Sequence, residues 1–194
     1  MNFRFALLPL LAVALQASTI SLTGSLNPDD ANDVFLYQFT TTATSDLSFQ
    51  SWGYDGGTNA AGHVIPAGGF DPYLTVFLGS GPTATFLQSN DDGCFTCADP
   101  ALTLVGQPAG TYTVALTAFD NFSFAENFGG LYTLGDGFIG LGSYYDVRTD
   151  TVRSNGFALD ITSSAGFAPT PEPGTLSLLA AGAALLFIFR RKTA

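Results

Sequence analysis

Val34-Phe35-Leu36-Tyr37-Gln38-Phe39-Thr40 and, a short turn later, Leu47-Ser48-Phe49-Gln50-Ser51-Trp52 are rich in aromatic and β-branched residues and repeat with a period of two. That is the pattern of a strand with one face buried, and it decides the fold class. Tyr73-Leu74-Thr75-Val76-Phe77 and Thr111-Tyr112-Thr113-Val114-Ala115-Leu116 read the same way. Shorter strands are predicted at Ile20–Leu22, Thr85–Leu87, Leu102–Val105 and Phe157–Ile161. Asn-Pro-Asp-Asp, Gly-Gly, Gly-Ser-Gly-Pro, Asp-Asp-Gly and Pro-Ala-Gly clusters punctuate the turns between them. About eight short strands in one domain bury their apolar faces only as two packed sheets, which predicts an all-β, jelly-roll-like β-sandwich.

Both ends of the chain read as addresses. Arg4 precedes the apolar run Phe5–Leu15, and Ala12-Val13-Ala14 or the stretch ending at Ala17 supplies small residues for signal peptidase. Residues 1–17 are therefore expected to be a cleaved signal peptide. At the other end Pro171-Glu172-Pro173 is followed by the apolar stretch Thr175–Phe189 and by Arg190-Arg191-Lys192. A helix from Leu176 to Phe189 covers only ~21 Å at about 1.5 Å per residue, short of the ~30 Å hydrocarbon core. Such a transmembrane helix holds briefly rather than permanently, and the basic cluster keeps its end cytoplasmic.

The order of triad, apolar helix and basic tail in 171–194 closely resembles the PEP-CTERM sorting signal of exopolysaccharide-producing Gram-negative bacteria. The resemblance implies export, transient inner-membrane anchoring, removal of the tag by exosortase, and a final address at the cell surface or outside. It further implies an extracellular matrix or biofilm setting in contact with exopolysaccharide. Pro171, Glu172, Pro173, Arg190, Arg191 and Lys192 carry this reading.

Between the tags lie a β-sandwich domain, 18–162, and a linker, 163–170. The chain holds 16 acidic and 6 basic residues. Without Glu172 and the tag and leader cations Arg4, Arg190, Arg191 and Lys192, 15 acids face only Arg148 and Arg153, a net of −13. Such a body repels phosphate backbones, which excludes nucleic acid as a partner. Nearly all its acids are Asp and it lacks Lys, which suits turns and divalent cations.

Asn32-Asp33-Val34-Phe35, Gly68-Gly69-Phe70-Asp71-Pro72, Asn90-Asp91-Asp92-Gly93 and Ala109-Gly110-Thr111-Tyr112 occur in series. This succession resembles the DVUA0089 family of secreted bacterial proteins and, more distantly, the bacterial pre-peptidase C-terminal domains. It implies a sandwich, an extracytoplasmic address and a binding or matrix role, and it carries no activity. Beyond Asp120 the likeness weakens, and Phe122–Tyr145 is read as a long hairpin or an exposed loop.

Three groups of residues are candidates for function. Asn90, Asp91 and Asp92, with Asp71 and with Asp29, Asp30 and Asp33, offer hard oxygens to Ca²⁺, although Asp and Asn also cap turns without a metal. Cys94 and Cys97 lack the βαβ setting of a redox pair and the further ligands of a zinc site, so a local disulfide is expected. Tyr144 and Tyr145, with Trp52, Tyr54, Phe70, Phe122, Phe124 and Phe128, offer rings for stacking on sugars or for filling a core, and exposure separates the two uses. His63 is the sole histidine and no Gly-x-Ser-x-Gly surrounds any serine, so no catalytic residue is assigned. The expectation is a non-enzymatic structural protein of the cell surface or matrix, with a carbohydrate-binding or calcium-stabilised adhesion module as the alternative and a secreted hydrolase as the remote one.

Overall fold

A computed structural model describes residues 17–94, 96–128 and 130–168. The expected signal peptide, 1–17, lies outside the described residues except for Ala17, and the sorting tag, 171–194, lies wholly outside them. Twelve strands follow in order: β1 (Ser18–Ser25), β2 (Phe35–Thr41), β3 (Ser45–Trp52), β4 (Gly57–Thr58), β5 (Val64–Ile65), β6 (Pro72–Leu78), β7 (Thr85–Asn90), β8 (Ala101–Gln107), β9 (Gly110–Ala118), β10 (Tyr145–Asp146), β11 (Thr151–Val152) and β12 (Gly156–Ser163). The eight long ones coincide with the eight segments predicted from period and composition.

They form two four-stranded sheets, β1-β12-β3-β8 and β2-β9-β6-β7, antiparallel throughout. Among the long strands only β6 to β7 is a hairpin within one sheet, and every other step crosses to the opposite sheet. Leu47, Phe49, Leu159, Ile161, Leu74, Val76, Tyr112, Val114 and Leu116 alternate inward to fill the space between the sheets. Phe39 stacks on Tyr112 at 5.6 Å between centroids and tilts against Phe49 at 6.1 Å. Each such ring or branched chain contributes about 1.5–3 kcal/mol when fully buried.

Both sheets are also covered on their outer faces, which explains why β9 and β12 are buried almost end to end. Residues 119–144 lie over the β6–β9 face, where Phe77, Ala115, Ala125, Leu134 and Ala84 make a second cluster. This segment, read from sequence as a hairpin or loop, contains the short helix α1 (Phe124–Asn127), capped by the Ser123 hydroxyl, and a 3₁₀ turn at Leu134–Asp136. On the other sheet the β4–β5 hairpin docks through the Ala60 amide, which donates to the buried Asp160 at 2.7 Å.

The stretch predicted as linker is attached as far as it is described. Phe167 packs edge-on against Phe39 at 5.5 Å, and the Ala168 amide donates to the Thr40 carbonyl at 2.7 Å. No helix among the described residues is long and apolar enough to cross a membrane, and the apolar segment 175–189 falls outside them.

Candidate functional site

Gly68-Gly69-Phe70-Asp71-Pro72 builds one wall of the site. Gly68 has φ +102°, open to glycine at little cost. A Cβ on Gly69 would meet the Gly53 carbonyl oxygen at 2.4 Å, so only glycine lets the two backbones approach. Phe70 then enters the core with no exposure, and Pro72 starts β6. Asp71 is left facing outward between them.

Opposite stands the small β10–β11 hairpin. Its root is fixed by Tyr144, 9% exposed, whose ring meets Phe70 at 6.0 Å and whose hydroxyl donates to the carbonyls of Asn27 and Asp30. The Phe70 amide donates to the Ser154 carbonyl at 2.7 Å, tying the hairpin's exit to the glycine turn. Within the hairpin Asp146 accepts from the Tyr54 hydroxyl at 2.8 Å and from the Arg153 guanidinium, which lies 3.8 Å above the Tyr54 ring. Arg153 and the Tyr54 hydroxyl together hold the Asp146 carboxyl below the usual carboxylate range.

Between these walls is an open cavity of about 500 Å³. Asp71, Asp91, Asp92 and Asp120 line one side; Tyr145, Asp146 and Arg148 line the other, with Tyr54 and Arg153 behind. Both arginines of the body are therefore at this one place. Arg153 is spent on Asp146, whereas Arg148 is 67% exposed and stands 3.6 Å from Asp71 and 3.7 Å from Asp146. Burial, and then the charges of Asp91 and Asp92 working against Arg148, push Asp71 up to about 7. Asp91 is raised too, first by burial and then by Asp92 and Asp120.

The residues singled out from sequence fare differently. Asp71, Asp91 and Asp92 share the cavity with Tyr145, a residue 48% exposed. Asn90 turns away, its side-chain oxygen accepting from the Ala101 amide at 3.3 Å. Asp33 caps the amides of Asn27 and Val34, and Asp30 that of Asn32. Among the described residues no three His, Cys, Asp or Glu side chains converge closely enough to hold a metal ion. Tyr144 also lines the cavity but is only 9% exposed, its ring packed on Phe70 and its hydroxyl pushed up to about 12 by burial and by Asp33 and Asp30. Phe124, Phe128 and Tyr132 form a separate surface group, with Phe128 60% exposed. His63 is exposed on the β4–β5 turn.

Cys94 and Cys97 are joined in a disulfide three residues apart. Two residues further, the buried Asp99 accepts from the amides of Gly53 and Tyr54, both at 2.8 Å, and of Asp55 at 3.2 Å. Asp55 answers by accepting from the Ala98 amide at 2.8 Å. This reciprocal clamp orients Tyr54 and through it Asp146 and Arg153. Sequence reasoning offered Tyr54 as a stacking ring but missed Asp99, Asp120, Asp146 and the arginines as site residues; only the confinement of the body's cations to residues 148 and 153 hinted at them.

The family model of the PEP-CTERM protein-sorting motif matches residues 169–192. The motif implies an exported protein processed by exosortase. Among solved structures the chain is similar to Aeromonas hydrophila PliG, a periplasmic lysozyme inhibitor of g-type lysozyme, at 10% identity and a TM-score of 0.35, over 80% of this chain and 91% of that one. It is similar also to a chain of the Bacillus endospore appendages, a family of disulfide-linked pili, at 12% identity and a TM-score of 0.30, over 82% of this chain and 100% of that one. A search of curated proteins finds no match.

Proposed function

We propose that the mature domain is a non-enzymatic component of the cell surface or extracellular matrix, and that it holds exopolysaccharide at the cavity between the aspartate wall and the β10–β11 hairpin. Its kinship with the DVUA0089 and pre-peptidase domains belongs to the same proposal. The observation that carries the reading is convergence on one concavity of about 500 Å³, within the usual range for small-ligand sites. Asp71 and Asp120 present acceptors for sugar hydroxyls, the exposed Arg148 presents donors, and the Tyr145 ring offers a flat face for the C–H side of a pyranose. The body's net charge of −13 and five cavity carboxylates favour a neutral polysaccharide over a polyanionic one. In support of a non-catalytic role, the lone histidine is exposed on the turn of the β4–β5 hairpin, and one oxygen of Glu126 already accepts from Tyr73 and Ser89.

The test is retention of the processed protein, with and without calcium, on the host's own exopolysaccharide and on a glycan array. Retention is expected, weakened about tenfold or more by Tyr145→Ala or Arg148→Ala, equivalent to about 1.4 kcal/mol. Absence of retention on every glycan overturns the binding reading, and release of soluble oligosaccharides overturns the non-enzymatic one.

A further inference from the structure

A two-layer sandwich has four sheet edges, and three of them here are protected. β7 is flanked by α1, with Ser89 donating to Glu126. β8 is bounded by Pro100 and Pro108, pairs with β3 through a register shift, and bends at Gly106, φ +64°. β2 has the Phe167–Ala168 segment beside it, bonded at Thr40.

β1 differs from all three. It pairs with β12 through eight consecutive residues without a shift, and it contains no proline and no charged residue. Among the described residues no strand runs along its other side. A long, regular, unprotected edge is a template for another strand, and native proteins usually block one with charge, proline or a bulge. In a body of net charge −13 this neutral strip is also a place where a second acidic copy can approach with little repulsion.

We infer that β1 is a self-association edge, pairing antiparallel with β1 of a second copy of this chain. The sequence Ser18-Thr-Ile-Ser-Leu-Thr-Gly-Ser25 is self-complementary about Ser21. A two-fold axis there sets Ile20 against Leu22 of the partner copy on the core side, and Thr19 against Thr23 of the partner copy on the outer side. Both inner residues already pack against the core. The outer match repeats a device used inside the sheet, where Thr19 meets Thr162 at 2.9 Å and Ser48 meets Thr103 at 3.1 Å, hydroxyl to hydroxyl across neighbouring strands. The product is one continuous eight-stranded sheet with a closed, isologous interface.

Sedimentation velocity of the processed protein over a concentration series reads the proposal. A monomer–dimer equilibrium is expected, shifted toward dimer by added salt, which screens the acidic bodies. Combining Thr19→Lys with Thr23→Lys puts lysine against lysine twice across the axis and is expected to weaken the dimer about tenfold or more. Val105→Lys on β8 should leave it unchanged. Amide exchange on the unsubstituted protein is the second measurement, with β1 protection rising as concentration rises. A protein that stays monomeric, a dimer indifferent to the two lysines, an open polymer broken by Val105→Lys, or β1 protection independent of concentration each overturns the inference.

Discussion

Asp71 concentrates the charge problem of the cavity. Its carboxyl is partly buried, Asp91 and Asp92 repel its charge, and the single loosely held Arg148 does not compensate, leaving it at about 7. The unfolded chain titrates an Asp near 3.9. Between these values the folded state holds more protons than the unfolded one, so this group's contribution to stability falls as pH rises from about 4 to about 7. Asp146 has the opposite sense: held ionised by Arg153 and Tyr54, it supports the fold above the ordinary carboxylate range, and that support is lost progressively as pH falls below this range toward its own depressed value. Thermal melts in a pH series should therefore show the stability of the unsubstituted protein declining relative to Asp71→Asn between pH ~4 and ~7. A difference that does not vary with pH would mean that Asp71 titrates as an ordinary exposed acid. Asp71, Asp91 and Asp92 stood out in the sequence because they flank glycine and proline turns. Their neighbours Asp120, Asp146 and Arg153 did not, because only the fold brings residues from the 50s, 70s, 90s, 120s, 140s and 150s together.

At the scale of elements, the strands were legible because alternation and β-branched content are local properties, whereas the two coverings were not. Residues 119–144 lack a sustained period and owe their shape to what lies beneath them: Leu134 and Ala125 settle on Phe77 and Ala115 of the outer sheet face. The available signal was the unbroken apolar run Val114-Ala115-Leu116 in β9, since a strand buried on both faces needs a cover on each. The turn Gly68-Gly69 was legible as a motif, but its reason is the contact with Gly53. Gly69→Ala forces those backbones apart, and the expected loss is about 2 kcal/mol, a fall in Tm of about 4–8 °C. Gly130→Ala, with open space around its missing side chain, is the neutral control. Equal melting temperatures for the two variants would show that the Gly53 contact relaxes freely.

For the whole molecule, the matched sorting motif sets the route, since it implies an exported protein. The matched motif spans 169–192, and its Pro171-Glu172-Pro173 triad is the expected recognition point for exosortase. Glu172→Ala should leave a longer, membrane-retained product in an exosortase-containing host, seen as unchanged precursor mass in the membrane fraction; normal mature mass outside the cell would remove the triad from the processing step. The way the chain leaves the sandwich sets a geometric limit on that step. Phe167 and Ala168 are still held by β2, so only Thr170 and its neighbours separate the fastened end from Glu172. Four residues span at most about 14 Å when fully extended. On so short a leash, cleavage at the triad would have to take place against the folded body, and peeling of the last few residues from β2 would lengthen the reach.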